Sequence, residues 1–244
     1  MKKSIWALLI FTCFSCKKEC TEPIGAIVSQ EISVPFFSSI IVQPGVELIV
    51  TDSAIQKIRV EAGKNRLDNI YATVENNILT LRADGSCLLS PTFSAVKVYV
   101  SSPNIESIRN SSEYTISSKN VLSYPELTLL VENNGNDYLN IGNFELNIDN
   151  EIIRVVSNGI ANTTISGSTN MLHLTYANSI GKFEGAELMA QHIQIFHRAE
   201  NSIKVNPQKS IKGNIHSVGN VISFYRPPIV DVTEHYKGRL IFQQ

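Results

Sequence analysis

Apolar and polar residues alternate over several short stretches in the first hundred positions of the chain. These stretches lie at residues 46–50, 58–60, 70–74, 79–81 and 96–100. A period of two is typical of strands that are buried on one side. The pair Asn76-Asn77 separates two of the stretches and predicts a tight turn, because asparagine tolerates a positive φ. The sequence contains no convincing long helical pattern, so it predicts an all-β protein.

The second half of the chain repeats itself loosely. Five segments share an apolar strand, an Asn-containing bend and a second apolar strand, at residues 127–141, 152–165, 172–183, 193–205 and 215–225. Aligned on the Asn before the second strand, they place five residues in register: Asn136, Asn162, Asn178, Asn201 and Asn220. The spacing between these residues, 16 to 26 positions, is of the order of one coil in a β-solenoid.

The repeats therefore favour a parallel β-solenoid with short strands and Asn-rich bends. Each repeat is too small to bury a face alone, whereas stacked coils bury a continuous interior. The five asparagines would form a ladder of side-chain hydrogen bonds at one corner and satisfy backbone groups at the bend. Because the spacing is uneven, an antiparallel β-sandwich with Asn-rich hairpins stays open as the alternative.

The N-terminus has the pattern of an export signal. Lys2 and Lys3 precede an apolar stretch, residues 4–14, that is too short to span a bilayer. Ser15-Cys16 follows and resembles a lipoprotein signal-peptidase site, although Cys13 occupies a position where leucine is usual. We expect a signal peptide at residues 1–15 and lipidation of Cys16 by acyl chains such as palmitate, which would anchor the protein to the outer membrane. An ordinary cleavable signal peptide ending near Ser15 is the alternative.

The predicted domain organisation follows from this signal. Residues 16–30 read as a lipidated tether, and residues 31–244 as the β domain, with two sub-regions, 31–120 and 121–244, as a further option. Export permits a disulfide between Cys20 and Cys87, but two unpaired cysteines fit the position of Cys20 in the tether better. The formal net charge of -1 argues against a nucleic-acid partner, which would favour a basic surface.

Candidate catalytic groups do not form a recognisable constellation. The acids of the repeats do not recur at one offset; they are Asp137, Asp149, Glu151, Glu184 and Glu187. The sequence has no G-x-S-x-G elbow and no phosphate-binding loop. We therefore expect no catalytic site and no cofactor.

Histidines and aromatic residues are candidate binding groups. His197 and His216 each lie four residues before a repeat Asn, which predicts an outward pair on neighbouring coils. No third ligand shares that offset, so an exposed polar column is favoured over a metal site. The repeats also carry Tyr138, Tyr176, Phe196, Phe224 and Tyr225. For each of these aromatics, burial in the core is the favoured interpretation over an exposed sugar-binding platform.

The chain resembles the head GIN domain family of putative auto-transporter adhesins. The resemblance begins at Phe37-Ser38-Ser39-Ile40-Ile41-Val42, continues through residues 96–100 and 103–108, and closes at residues 211–227. The family's small Ser-Gly repeats at the bends are here replaced by bulkier residues, such as Asn133-Asn134-Gly135-Asn136. The resemblance implies an exported β-solenoid on the cell envelope.

Together these observations predict a non-enzymatic envelope lipoprotein on the outer membrane, at its surface or its periplasmic face. Its partners would be the membrane, through the lipid, and a glycan or protein bound along a face of the solenoid. Two other functions stay open. One is a β-helix enzyme acting on polysaccharide, and the other is a periplasmic structural or signalling accessory.

Overall fold

The computed structural model describes residues 24–84, 96–133, 135 and 138–243. Apart from a 3-10 helix at Lys64–Asn69, the regular elements in these ranges are strands. The strands of the first half are β1 (Ile27–Ile32), β2 (Ser39–Val42), β3 (Val46–Asp52), β4 (Lys57–Gly63), β5 (Ile70–Glu75), β6 (Ile78–Ala83), β7 (Val96–Ser102), β8 (Ser107–Asn110) and β9 (Ile116–Ser118). Those of the second half are β10 (Glu126–Val131), β11 (Phe144–Ser157), β12 (Thr163–Ser179), β13 (Phe183–Ala199), β14 (Ile203–Ile215), β15 (Val221–Ser223), β16 (Ile229–Glu234) and β17 (Leu240–Phe242). The prediction of an all-β protein is confirmed.

The strands form one sheet that divides into two ladders. Ladder A runs in the order β5, β6, β2, β8, β10, then the second parts of β11 to β14, then β16. Ladder B runs in the order β1, β4, β7, β3, β9, then the first parts of β11 to β14, then β15 and β17. Each of the strands β11 to β14 begins in ladder B, bends, and continues in ladder A.

Strand pairing is mixed, which corrects the expectation of a purely parallel sheet of short strands. Pairing from β8 to β17 is parallel, with hydrogen-bonded partners 18 to 21 residues apart at the bends. The pairs β1–β4, β4–β7 and β5–β6 are antiparallel. The strands β11 to β14 are 13 to 17 residues long, because the chain turns each bend between the ladders without ending the strand.

The core lies between the two ladders. In β11, Phe144, Leu146 and Ile148 are buried from the ladder B part, and Ile153 and Val155 from the ladder A part. The alternation therefore shifts by one residue between Ile148 and Ile153, and this shift marks the bend. Both parts of the strand direct their apolar side chains into the same interior. Each of the parallel strands from β11 to β14, together with the bend that follows it, is called a coil below, and each coil adds one layer to the core.

One interior column of ladder A contains a glycine that packing requires. Val155, Leu174, Ile195 and Gly213 occupy successive levels of this column. Gly213 has a φ of +127°, and a Cβ added there would lie 2.0 Å from the carbonyl oxygen of Ile195. Only glycine allows this close approach between neighbouring coils.

Two local predictions have clear outcomes. The turn between β5 and β6 is confirmed, since Asn76 and Asn77 have φ angles of 51° and 62° and the two strands pair as a hairpin. Residues 27–30 of the predicted tether instead belong to β1, so the sheet begins earlier than expected.

Some predictions concern residues outside the described ranges, namely the lipidation site Cys16, the residues Cys20 and Cys87, and the repeat residue Asn136. No helix in the described ranges has the length and apolar character needed to cross a bilayer.

Candidate functional site

A row of polar side chains stabilises the corner that precedes the ladder B strands. Asn143 Oδ1 accepts a hydrogen bond of 2.8 Å from the backbone N–H of Asn162, and Asn162 Oδ1 accepts one of 3.2 Å from that of Lys182. Further along, Ser202 Oγ accepts from Asn220, and Asn220 Oδ1 accepts from Arg239. Each side chain thus satisfies a backbone donor of the next coil at the point where a strand begins.

This corner row contains two of the five predicted ladder residues, Asn162 and Asn220. Asn178 lies elsewhere, at an irregularity between β12 and β13, with a φ of 53°. Asn201 donates its side-chain N–H to the carbonyl of Ile180 and lies one residue before the corner row. The predicted register is therefore wrong for Asn178 and Asn201, because the bulge and unequal bends shift asparagines along the coil.

The outward side chains of ladder A from β11 to β16 form a broad surface, which we call surface A. One column of surface A contains Arg154, His173, Gln194 and Lys212. A second column, four positions along each strand, contains Arg198, His216 and His235. The His216 and His235 rings stack with centroids 4.2 Å apart and planes 6° apart, and Phe196 lies 5.0 Å from His216.

His197 points into the core, which corrects the prediction of an outward pair with His216. In the sheet register His197 pairs with Ile215, so His216 has the opposite orientation. The His197 side chain is fully buried, and neither ring nitrogen has a hydrogen-bond partner of normal geometry within the described residues. Burial lowers the pKa of His197 to about 4, although backbone groups of Gly219 and Asn201 act in the opposite direction.

The outward surface of ladder B, surface B, carries most of the acids that were weighed as catalytic candidates. Glu184 pairs with Lys204 at 3.0 Å, and Asp149 accepts a hydrogen bond of 2.6 Å from Ser168 Oγ. Glu187 is exposed further along β13. Glu151 lies at the bend between the two ladders, and Asp137 is outside the described residues. Glu184 and Asp149 are thus each paired with a residue of the adjacent strand.

The aromatic residues divide between core and surface. Tyr176 is fully buried, as predicted, and donates to the carbonyl of Lys182 at 3.2 Å. Its burial raises its pKa. Phe196, Phe224 and Tyr225 are 37%, 40% and 48% exposed, so the expectation of burial is wrong for these three. Tyr138 is half-buried beneath the guanidinium of Arg109, whose Cζ lies 4.7 Å from the ring centroid.

Comparison with protein families gives one match that spans most of the chain. Residues 36–227 match the family described as "Putative auto-transporter adhesin, head GIN domain". The chain belongs to this family. No curated protein sequence matches the chain.

Solved structures related to this head GIN chain share its fold. A "putative adhesin" from Bacteroides fragilis is 18% identical, with a TM-score of 0.78 over 89% of this chain and 97% of that one. A "Putative lipid binding protein" from Parabacteroides distasonis is 12% identical, with a TM-score of 0.61 over 90% and 98% of the two chains. A "putative adhesin" from Parabacteroides merdae is 15% identical, with a TM-score of 0.57 over 90% and 97%. At these identities the likeness concerns the fold alone.

Proposed function

We propose that this head GIN protein is a non-enzymatic, lipid-anchored protein of the cell envelope that binds a macromolecular ligand along one outer face. Its parallel part, from β8 to β17, would act as a β-solenoid whose regular outer surface presents side chains at fixed intervals. The observation that carries this proposal is surface A. There, Arg, His, Lys and Phe side chains of successive coils point outward in columns on a continuous ladder.

A long ladder suits the binding of an extended ligand. Neighbouring strands are about 4.8 Å apart, so equivalent side chains on successive coils repeat at that interval. Such a surface makes many weak contacts with a repeating ligand, and the affinity grows with the number of coils engaged. A glycan chain or an extended protein segment would be a suitable ligand.

The position of the proposed anchor is consistent with this role. A lipid at Cys16 would lie on the N-terminal side of β1, the strand at one end of ladder B. The ten steps from β1 to β17 along ladder B span roughly 50 Å. The coils with the most exposed aromatic and basic residues would thus lie at the end of the domain away from the anchor, where a ligand outside the cell could reach them.

A binding role is favoured over catalysis by the distribution of the acids. Glycoside hydrolysis commonly needs two carboxyl groups about 5 to 10 Å apart on one face. Glu184 is paired with Lys204, and Asp149 accepts a hydrogen bond from Ser168. Glu145 lies in the column of Glu184, two strands away, but the ion pair with Lys204 keeps Glu184 charged and engaged, which does not suit a general acid.

The test combines cell-surface exposure with adherence. Intact cells producing the wild-type chain are treated with a protease, with a periplasmic protein as the internal control, and binding of the cells to a mucus-coated surface is compared with that of cells lacking the gene. We expect cleavage while the control survives, together with reduced adherence of the deletion strain. Protection from protease with unchanged adherence would rule out the adhesin-like role.

The anchor is tested with Cys16→Ala, and Cys20→Ala is the matched control. The first variant should leave the membrane fraction, because the acylated thiol is lost, and the second should remain in it. If the Cys16→Ala protein still sediments with membranes, Cys16 is not the anchor.

A further inference from the structure

Surface A and surface B carry opposite charge. The basic residues of surface A between β11 and β16 are Arg154, Arg198 and Lys212. The acids beside them are Asp231, in the Lys212 column, and the exposed Glu200, two positions beyond Arg198. Surface B over the same coils displays Glu145, Asp149, Glu184 and Glu187, with Lys204 as the cation. A net charge of -1 for the whole chain therefore conceals two faces of opposite sign. A charged ligand would distinguish between them by attraction to one and repulsion from the other.

The cations of surface A are available to a ligand. Arg198 and Lys212 are both exposed, and neither forms an ion pair with an acid in the described part of the chain. Arg154 differs, since its guanidinium lies 2.9 Å from a Glu126 carboxylate oxygen. That pair is solvent-exposed and therefore weak. The two free cations, Arg198 and Lys212, lie on the neighbouring strands β13 and β14, four residues apart along the strand direction, so their Cα atoms are roughly 14 Å apart. Two cations at this distance are suited to bind two anionic groups of one linear polymer.

Four histidines also belong to surface A. The chain has five, and only His197 points inward; His173, His192, His216 and His235 point outward from ladder A. His216 is faced by Arg198 on β13 and by His235 on the next coil. The small desolvation of the His216 ring and these two neighbours lower its pKa. Since nearby positive charge opposes protonation of His216, an anion bound among these groups would favour it.

The neutral groups between the cations indicate the kind of polyanion. Gln194, Asn214, Thr175 and Thr233 alternate with the charged residues on these coils. Amide and hydroxyl groups both donate and accept hydrogen bonds, which matches the hydroxyl groups of a sugar. A lipid bilayer surface would make less use of these amide and hydroxyl groups than a sugar chain would.

We propose that surface A binds an acidic polysaccharide that runs obliquely across β13 and β14, with Arg198 and Lys212 contacting carboxylate or sulfate groups two or three sugar units apart. This proposal refines the function proposed above and rests on it, because it assigns the face and the ligand class. Surface B would not take part.

The test measures binding of the detergent-solubilised full chain to immobilised polygalacturonate and dextran sulfate, with uncharged dextran as the reference polymer. The Arg198→Gln/Lys212→Gln double variant removes two cations and keeps hydrogen-bonding side chains. The matched control, Lys97→Gln/Lys204→Gln, removes two cations from ladder B. Melting temperatures of the variants establish that each one is folded.

We expect the wild type to bind both acidic polymers and not dextran. The surface A variant should bind about tenfold more weakly for each cation lost, because a hydrogen bond to a charged group contributes about 1.5 kcal/mol. The ladder B control should bind as the wild type does. Equal loss in both variants, no loss in the surface A variant, or equal binding to dextran would overturn the proposal.

A vesicle assay separates a glycan from a membrane ligand. All the proteins carry the same N-terminus, so the comparison is between wild type and surface A variant on phosphatidylglycerol vesicles. If the cations change vesicle binding and leave polygalacturonate binding unaffected, surface A is a membrane site and the proposal is wrong. Failure of polymer binding together with reduced adherence of the deletion strain would reject the ligand assignment alone, and the adhesin-like role would stand.

Discussion

His197 is a titratable group whose side chain is fully buried in the core. Tyr176 and Ile215 occupy the levels above and below it, and burial lowers its pKa from 6.5 to about 4. The ring therefore stays neutral in the folded protein at pH values where the unfolded chain binds a proton. The stability that results is present above pH 6.5 and is lost as the pH falls towards 4.

We predict that the free energy of unfolding decreases by about 2 kcal/mol between pH 7 and pH 4.5 because of His197. The His197→Leu variant should lose this part of the pH dependence, since leucine does not titrate. Urea unfolding at the two pH values measures the difference. His235→Gln, which changes an exposed histidine, is the control and should keep the loss of stability that His197 causes between pH 7 and pH 4.5. An unaltered dependence in His197→Leu would show that another group is responsible.

The direction of His197 could not have been predicted from its neighbours in the sequence. His197 and His216 have the same offset from Asn201 and Asn220, but the bends of the two coils differ by one residue. Because side chains alternate between the two faces of a strand, a shift of one residue reverses the orientation. By contrast, the Asn76-Asn77 turn depends only on two adjacent residues and was correctly predicted.

At the scale of the strand and its bend, the corner row is interrupted once. Asn143, Asn162, Ser202 and Asn220 each accept a hydrogen bond from the next coil. Lys182 occupies the equivalent position before Phe183, and its ammonium group cannot accept a hydrogen bond. At Lys182, between Asn162 and Ser202, the row therefore lacks the side-chain acceptor that its other members provide.

We predict that Asn162→Ala lowers the free energy of unfolding by about 1 kcal/mol, because the Lys182 backbone N–H loses its acceptor. Lys182→Asn should raise it by a smaller amount, since the new side chain can accept from the next coil. Lys182→Ala, which adds no acceptor, is the matched control and should be close to neutral. Thermal unfolding of the three variants measures these changes. A stability for Lys182→Asn equal to that of Lys182→Ala would contradict the interpretation.

The corner row was only partly predictable for a physical reason. Repeats aligned on asparagine alone do not identify Asn143 and Ser202 as members of the row, because Ser202 is another residue type and Asn143 follows a different bend. A better signal is position, since every member of the row directly precedes the apolar or β-branched residue that begins a ladder B strand. Asn178 and Asn201 are short polar residues in bends, but a left-handed backbone conformation and a different bend length place them elsewhere.

At the scale of the whole molecule, the two halves of the chain differ in how much their sequences reveal. Repeats of about 20 residues predict parallel stacking for the second half, because a coil of that length returns each strand beside its predecessor. In the first half, alternation identifies β3 to β7 but not their partners. An alternating strand can pair in either direction, and the antiparallel contact of β4 with β7 joins segments that are distant in sequence.

The parallel coils also determine how the protein would respond to force. The backbone hydrogen bonds of the ladders join one coil to the next and therefore run along the stacking axis. A force between the N-terminus and the C-terminus pulls along these bonds and acts first on the edge strands β16 and β17. We predict that single-molecule stretching releases the coils in sequence, each adding about 60 Å of extended chain. A single rupture that frees all the coils at once would contradict this.

Sequential release would make the domain an extensible connection between the proposed anchor and the proposed ligand. A protein that unfolds in one step breaks its connection abruptly under increasing tension, whereas a stack that loses one coil at a time lengthens and keeps the tension nearly constant. The same hydrogen-bonded ladders that order the side chains of surface A would then limit the force on the bound ligand when fluid flow pulls on the cell.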